Sequence, residues 1–205
     1  MLGKTHMAVG IAATLACTCP KTVAELSMAV AIGTVGALIP DIDVESSESC
    51  RKANGAILLL SAISAAAAAL DYFMGIKILE DVAGNSDAAR IFAGVLLFVG
   101  TCVFGKKQPH RSFMHSFLAL ALLDGSLALA FPLFLPYFTV GFLSHLLLDL
   151  CNQKGLKLFY PCKYGVCLGW FRAHGWADRL LCTAGCAAAL LLSVKSFWEM
   201  FLGKL

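Results

Sequence analysis

Seven apolar stretches, at about Thr5–Cys19, Val23–Ile39, Asn54–Ile76, Ala88–Phe104, Ser112–Ala130, Tyr137–Leu150 and Leu180–Val194, alternate with short polar connections along the chain. None shows the two-residue alternation of a half-buried strand, and Ala-rich segments such as Ser64–Leu70 favour helix, which argues against a β-barrel. A helix rises about 1.5 Å per residue and needs about 17–25 apolar residues to cross the hydrocarbon core. The first and sixth stretches are short, so they are expected to thin the bilayer, to sit partly in the interface, or to continue into their flanks. The predicted fold is all-α: a polytopic transmembrane bundle of about six to seven helices, forming one domain over residues 1–205 with an interfacial loop at 151–179.

Composition supports lipid as the solvent. The chain is 59% hydrophobic and 14% charged, against about 45–50% apolar and about 25% charged in soluble domains. Its formal charge is only +3 and no basic stripe interleaved with aromatics appears, so no nucleic-acid partner is expected. Of the nine cysteines, Cys17, Cys102, Cys182 and Cys186 lie inside apolar runs, where thiols behave as small hydrophobes. Cys162 and Cys167 lack the paired spacing of a zinc knuckle. The start, with Lys4 before a short apolar stretch, imitates a secretory signal but is expected to stay as part of the fold.

If successive runs alternate in direction, eleven of the sixteen Lys and Arg residues fall on the side of the N-terminus, among them Lys106, Lys107, Arg111, Lys154 and Lys157. The positive-inside bias then places the N-terminus and these loops in the cytoplasm, at an inner membrane of bacterial type. The same alternation brings His6, Asp41 and Asp43, His110 and His115, and His145 and Asp149 to that one side. His145 and Asp149, four apart, share a helix face, a spacing that lets an imidazole and a carboxylate grip one ion and that equally suits a polar patch at a helix end. His110 and His115 flank a predicted helix start. Asp41 and Asp43 follow Pro40, so one could bind metal while the other orients a ligand or bridges two ions.

Ionisable groups are costly near the hydrocarbon, about 2.5–3.5 kcal/mol for a central Asp on insertion scales. A divalent cation would offset that cost for the whole set. Mixed imidazole and carboxylate donors suit zinc first, with manganese or iron as alternatives, and seven candidates exceed the need of one tetrahedral site, so one or two ions are expected. Arg111, between the two histidines of its loop, has the planar fork that fits phosphate. The lysines nearby either add positive field or are topogenic charges facing anionic lipid. The segment from Gly155 to Pro161, continuing through Trp170, Phe171 and Trp176, is aromatic and glycine-rich, as a lid or an interfacial anchor would be. Asp71 and Asp124 stand apart inside the third and fifth runs, where an ion path would use them.

The blocks Gly3-Lys4-Thr5-His6, Leu38-Ile39-Pro40-Asp41-Ile42-Asp43, His110-Arg111-Ser112-Phe113-Met114-His115-Ser116 and Gly141 through Asp149, in this order, resemble the membrane-bound metal-dependent hydrolases, the family that includes a LexA-regulated inner-membrane protein. The chain departs from that pattern at Val44 and Met114, where many members carry histidine and threonine, and at Asp178, where a glutamate is usual. The resemblance implies that His6, Asp41, Asp43, His110, His115, His145 and Asp149 are metal ligands. With it the expected function is metal-dependent hydrolysis, at the cytoplasmic interface, of a phosphoester in a membrane lipid or lipid-linked substrate. Arg111 would hold the phosphate, and Asp43 or Asp178 would serve as general base. Two other classes stay open: a metal-ion transporter or sensor that uses Asp71 and Asp124, and a catalytically silent scaffold with a structural metal.

Overall fold

The computed structural model describes residues 1–44, 86–171 and 175–202, and the apolar runs within them fold as six α-helices, with no strand longer than an isolated bridge among the described residues. The third run, Asn54–Ile76, with Asp71, lies outside the described residues. The helices are α1 (Gly3–Thr18), α2 (Val23–Leu38), α3 (Ser86–Lys106), α4 (Phe117–Ala130), α5 (Leu135–Leu150) and α6 (Trp176–Leu202). Among the described residues four stretches are long and apolar enough to cross a membrane: Val23–Asp43, Ser86–Lys106, Pro132–Leu150 and Trp176–Leu202.

Local chemistry sets the boundaries. Thr22 accepts a hydrogen bond from the Glu25 amide (3.1 Å), and the Glu25 carboxylate takes the Lys21 amide (2.7 Å), so two donors at the start of α2 are satisfied reciprocally. Pro40 ends α2 and the chain continues in a tighter 3-10 turn over Ile39–Asp43. The fifth run is shorter as a helix than its hydropathy predicts. Ser116 caps α4 by accepting from the Ala119 amide (3.2 Å), and residues Phe113–His115 form a separate 3-10 turn. The sixth run is longer than predicted, because Pro132 and Pro136 lie where a missing amide hydrogen costs nothing. The last run also extends at both ends, to 27 residues.

Across the bundle, α6 packs on α1, α1 on α2 and α5, and α2 on α5, while α3 packs on α4. Small residues make these approaches. A Cβ added at Gly36 would strike the Phe138 carbonyl, one at Gly141 the Gly33 carbonyl, and one at Gly10 the Ala37 methyl. Such seams give helices in lipid the van der Waals contact that hydrophobicity cannot supply there. The α3–α4 seam follows the same rule at Gly94, where an added Cβ would lie 2.6 Å from the Ser126 carbonyl.

Asp124 of α4 faces Thr139 of α5 across 2.9 Å, but the Thr139 hydroxyl also lies 2.8 Å from the Leu135 carbonyl of its own helix. One hydroxyl hydrogen cannot serve both acceptors. Asn at position 124 supplies a permanent donor to Thr139, so Asp124→Asn is expected to leave the melting temperature of the detergent-solubilised protein within a few degrees of wild type. Asp124→Ala, which strips the pair, should cost about 0.5–2 kcal/mol. A markedly unstable Asp124→Asn variant would show that the pair needs the carboxylate.

Candidate metal centre

Four segments meet at one face of the bundle, and each brings a polar side chain. His6 stands in the first turns of α1, Asp41 and Asp43 in the turn after α2, His110 and His115 before α4, and His145 and Asp149 at the end of α5. The core beneath them is apolar: Ile42, Phe113, Met114, Leu146, Leu156 and Leu158 belong to one buried cluster. The structure brings all seven predicted ligands together. Ligand atoms lie within 4.8 Å of one another in three overlapping groups: His6, Asp41 and His145; Asp41, His110 and His115; His115, His145 and Asp149.

Backbone and carboxylate partners aim the rings. His145 Nδ1 lies 2.7 Å from the Ala37 carbonyl, an acceptor only, so Nδ1 carries the hydrogen and Nε2 turns its lone pair toward the cluster. Asp43 acts in the same way on the other side. Its Oδ1 is 2.8 Å from His110 Nδ1 and its Oδ2 is 3.5 Å from His115 Nδ1. The His6 ring stacks on that of His145 with centroids 3.8 Å apart.

Within this frame His115 Nε2 is central: 3.2 Å from His145 Nε2, 3.7 Å from Asp41 and 3.8 Å from Asp149. Burial opposes a charge on His115, but the facing carboxylates of Asp41 and Asp43 outweigh it and the imidazole is pushed up to about 9. A proton on Nε2 therefore points at the lone pair of His145, where a metal ion would stand in its place. Two imidazole nitrogens bound at about 2.0–2.1 Å to a tetrahedral zinc lie about 3.3 Å apart, close to the separation found. The donor set fits a divalent cation on a second count. His6 Nδ1 is buried with no hydrogen-bond partner among the described residues, a cost of about 1–3 kcal/mol, whereas His115 Nδ1 and Asp43 Oδ2 face each other at 3.5 Å.

Asp149 is the most heavily engaged acid. Its Oδ1 lies 3.3 Å from His6 Nε2 and 3.0 Å from the Met1 ammonium; its Oδ2 is 2.8 Å from Arg111 Nη2. Arg111 also donates from Nη1 to the Lys154 carbonyl (2.6 Å), and its own carbonyl accepts from the Lys157 amide (3.1 Å). These bonds hold Arg111 at φ 64°, a left-handed conformation that costs a non-glycine residue about 1–2 kcal/mol. Arg111 Nε is buried with no hydrogen-bond partner among the described residues. Among the described residues the wall of His110 and Asp41 is open, with side chains 41% and 17% exposed, while His115 and His145 are fully buried.

Asp178 is placed differently. It is buried in the first turn of α6, where its Oδ1 accepts from the Leu2 amide (3.2 Å), so it fixes the start of α1 and with it His6. Residue order gives no sign of the Ala37 carbonyl or of the Lys154 carbonyl, because backbone acceptors carry no residue signature. The metal-capable groups among the described residues contain no cysteine, and Cys162 and Cys167 are free and exposed.

A bundle of apolar helices with a histidine–aspartate cluster at one end defines a polytopic membrane protein with a metal-capable centre. The YdjM inner membrane protein family matches residues 1–202, and the chain belongs to it. No curated protein and no solved structure matches the chain.

Proposed function

We propose that this inner membrane protein is a metal-dependent hydrolase acting at the cytoplasmic interface on a phosphoester of a lipid or lipid-linked substrate. The observation that carries the reading is the convergence of four histidines with Asp41 and Asp149 in three overlapping ligand groups, Asp41 common to two of them, and with Asp43 against His110 and His115. A carboxylate shared in this way suits a two-ion site. His6, His145 and Asp41 would hold one ion, His110, His115 and Asp41 the other, and Asp149 closes the set beside His115. Zinc suits these donors first, and manganese or iron would be accommodated. When bound there, a divalent ion would supply Lewis-acid polarisation of a phosphoryl oxygen and a lowered pKa for water.

The chain's own residues supply the rest. Asp43 orients His110 and His115, and its Oδ2, 3.5 Å from His115 Nδ1, would serve as the general base. Arg111, held by Asp149 and the strap through one contact on each Nη, would offer its remaining N–H groups to a phosphate oxygen. The exposed edges of His110 and Asp41 supply the entry that a purely structural metal would not need. The N-terminus and the centre lie on the cytoplasmic side because positive charge concentrates there.

Elemental analysis of the purified protein, beside hydrolysis of a panel of phospholipids and polyprenyl phosphates, tests the reading. Bound zinc, manganese or iron and release of phosphate or headgroup are expected. A wild-type protein that takes up no divalent metal would end it, and bound metal with no turnover on any phosphoester would leave a scaffold. Arg111→Lys keeps charge but loses the fork. Turnover should fall about 10–100-fold, the worth of about 1.5–3 kcal/mol in charge-assisted hydrogen bonds, with metal content retained. Loss of metal in that variant would assign Arg111 to Asp149 alone.

A further inference from the structure

The strap between α5 and α6 is apolar on two sides. Leu156 and Leu158 point inward and are part of the buried core, while Phe159, Tyr164, Val166, Leu168 and Trp170 are exposed, Tyr164 by 85% and Trp170 by 66%. Residues 161–170 are exposed without a break. The strap is nonetheless ordered against the centre. Leu156 and Val166 exchange backbone hydrogen bonds (2.9 and 2.8 Å), the Phe117 amide donates to the Leu158 carbonyl (3.0 Å), and Arg111 binds the Lys154 carbonyl. An outer apolar face held in place this firmly, in a soluble setting, would be an unexplained patch.

Charge states what covers it. Residues 151–177 contain Lys154, Lys157, Lys163 and Arg172 and no Asp or Glu. At this end of the bundle, Asp43, Asp149 and Asp178 are buried and Asp41 nearly so, whereas Lys107, Lys154, Lys163 and Arg179 are exposed. Among the described residues the remaining acids at helix ends, Glu25, Asp87 and Glu199, stand at the opposite end. The exposed surface of the strap is thus aromatic and basic with the acids withdrawn inside. It is also continuous with the flank of α4, where exposed Phe117 packs on Phe159 at 5.7 Å between centroids.

We propose that the strap, residues 151–171, is a docking surface for the anionic phospholipid headgroup layer, with its aromatic side chains seated in the interface and its lysines on lipid phosphates. Trp and Tyr favour that layer, and each surface cation adds an attraction that salt screens. Neither step depends on what the metal centre does. Seating the strap there would set the exposed edge of His110 at headgroup level, through Arg111 and Lys154.

The test uses the full chain in nanodiscs, with Trp176→Phe and Trp198→Phe so that Trp170 of the strap alone reports. Phosphatidylglycerol or phosphatidylcholine, each brominated high on the acyl chain, is included at equal mole fraction in otherwise identical mixed bilayers. Trp170 should be quenched by both lipids and severalfold more by the anionic one. The preference should vanish with added salt or with Lys154→Gln, Lys157→Gln and Lys163→Gln combined. A parallel protein retaining only Trp198 should show no headgroup preference, which separates local recruitment from altered bilayer mixing. Equal quenching of Trp170 by the two lipids would overturn the anionic assignment, and absence of quenching would overturn docking altogether. Metal content and hydrolysis enter neither readout, so failure here is distinct from failure of the proposed function.

Discussion

His145→Ala is expected to lose bound divalent metal, with affinity falling more than about 100-fold, beyond the range of about 10–100-fold for removal of a residue that only orients a ligand. His145 belongs to two of the three ligand groups, its Nδ1 is fixed by the Ala37 carbonyl, and it is fully buried, so water cannot readily replace it. His115→Ala should match it, since Nε2 of that residue faces His145, Asp41 and Asp149 together. His110→Ala removes a half-exposed ligand from one group only and should cost less. Asp43→Asn, which disturbs two rings without leaving either group, belongs in the 10–100-fold range. Metal content after dialysis against a graded chelator ranks all four, with circular dichroism to confirm retained helix. Unchanged metal in both His145→Ala and His115→Ala would exclude the centre.

The second large effect lies away from the centre. Gly141→Ala would place a methyl against the Gly33 carbonyl, and Gly36→Ala one against the Phe138 carbonyl, both on the seam between α2 and α5. Overpacking of this kind costs about 1–3 kcal/mol, and backbone cannot swing aside as a side chain can. Because Asp41 and Asp43 follow α2 while His145 and Asp149 ride on α5, spreading the seam also spreads the ligands. Both the melting temperature and metal affinity should therefore fall together. Gly100→Ala and Gly125→Ala are the controls: an added Cβ there meets nothing within 4 Å, and Gly to Ala within a helix is worth up to about 1 kcal/mol in favour of the variant. Equal behaviour of the two pairs would mean that the seam tolerates a methyl and that the close packing is not what positions the centre.

Much of the fold is legible in residue order because lipid imposes a simple rule. Every backbone polar group must be satisfied within the membrane, so a long apolar run has helix as its solution. Boundaries were less legible where a side chain competed with hydropathy. Met114 and Phe113 are as apolar as α4, yet the Ser116 hydroxyl caps the helix after them and turns His115 inward. Pro132 and Pro136 read as breakers, yet at the start of a helix they extend the sixth run. For the centre, the alternation of runs places its residues at one end of the bundle, and the structure brings His6, Asp41, Asp43, His110, His115, His145 and Asp149 into contact. Asp178 shares that end but is turned to the Leu2 amide, a distinction no spacing rule contains.

From residue order alone come the helical class, the membrane setting, the positive bias of one end and the candidate donors. Those properties are additive along the chain, so each can be counted without coordinates. Which donors meet, which nitrogen of each imidazole faces inward, and that Asp43 orients rings while Asp41 is shared between ligand groups depend on helices approaching at Gly33, Gly36 and Gly141. Those are relations between residues about a hundred positions apart, and packing is what sets their distance.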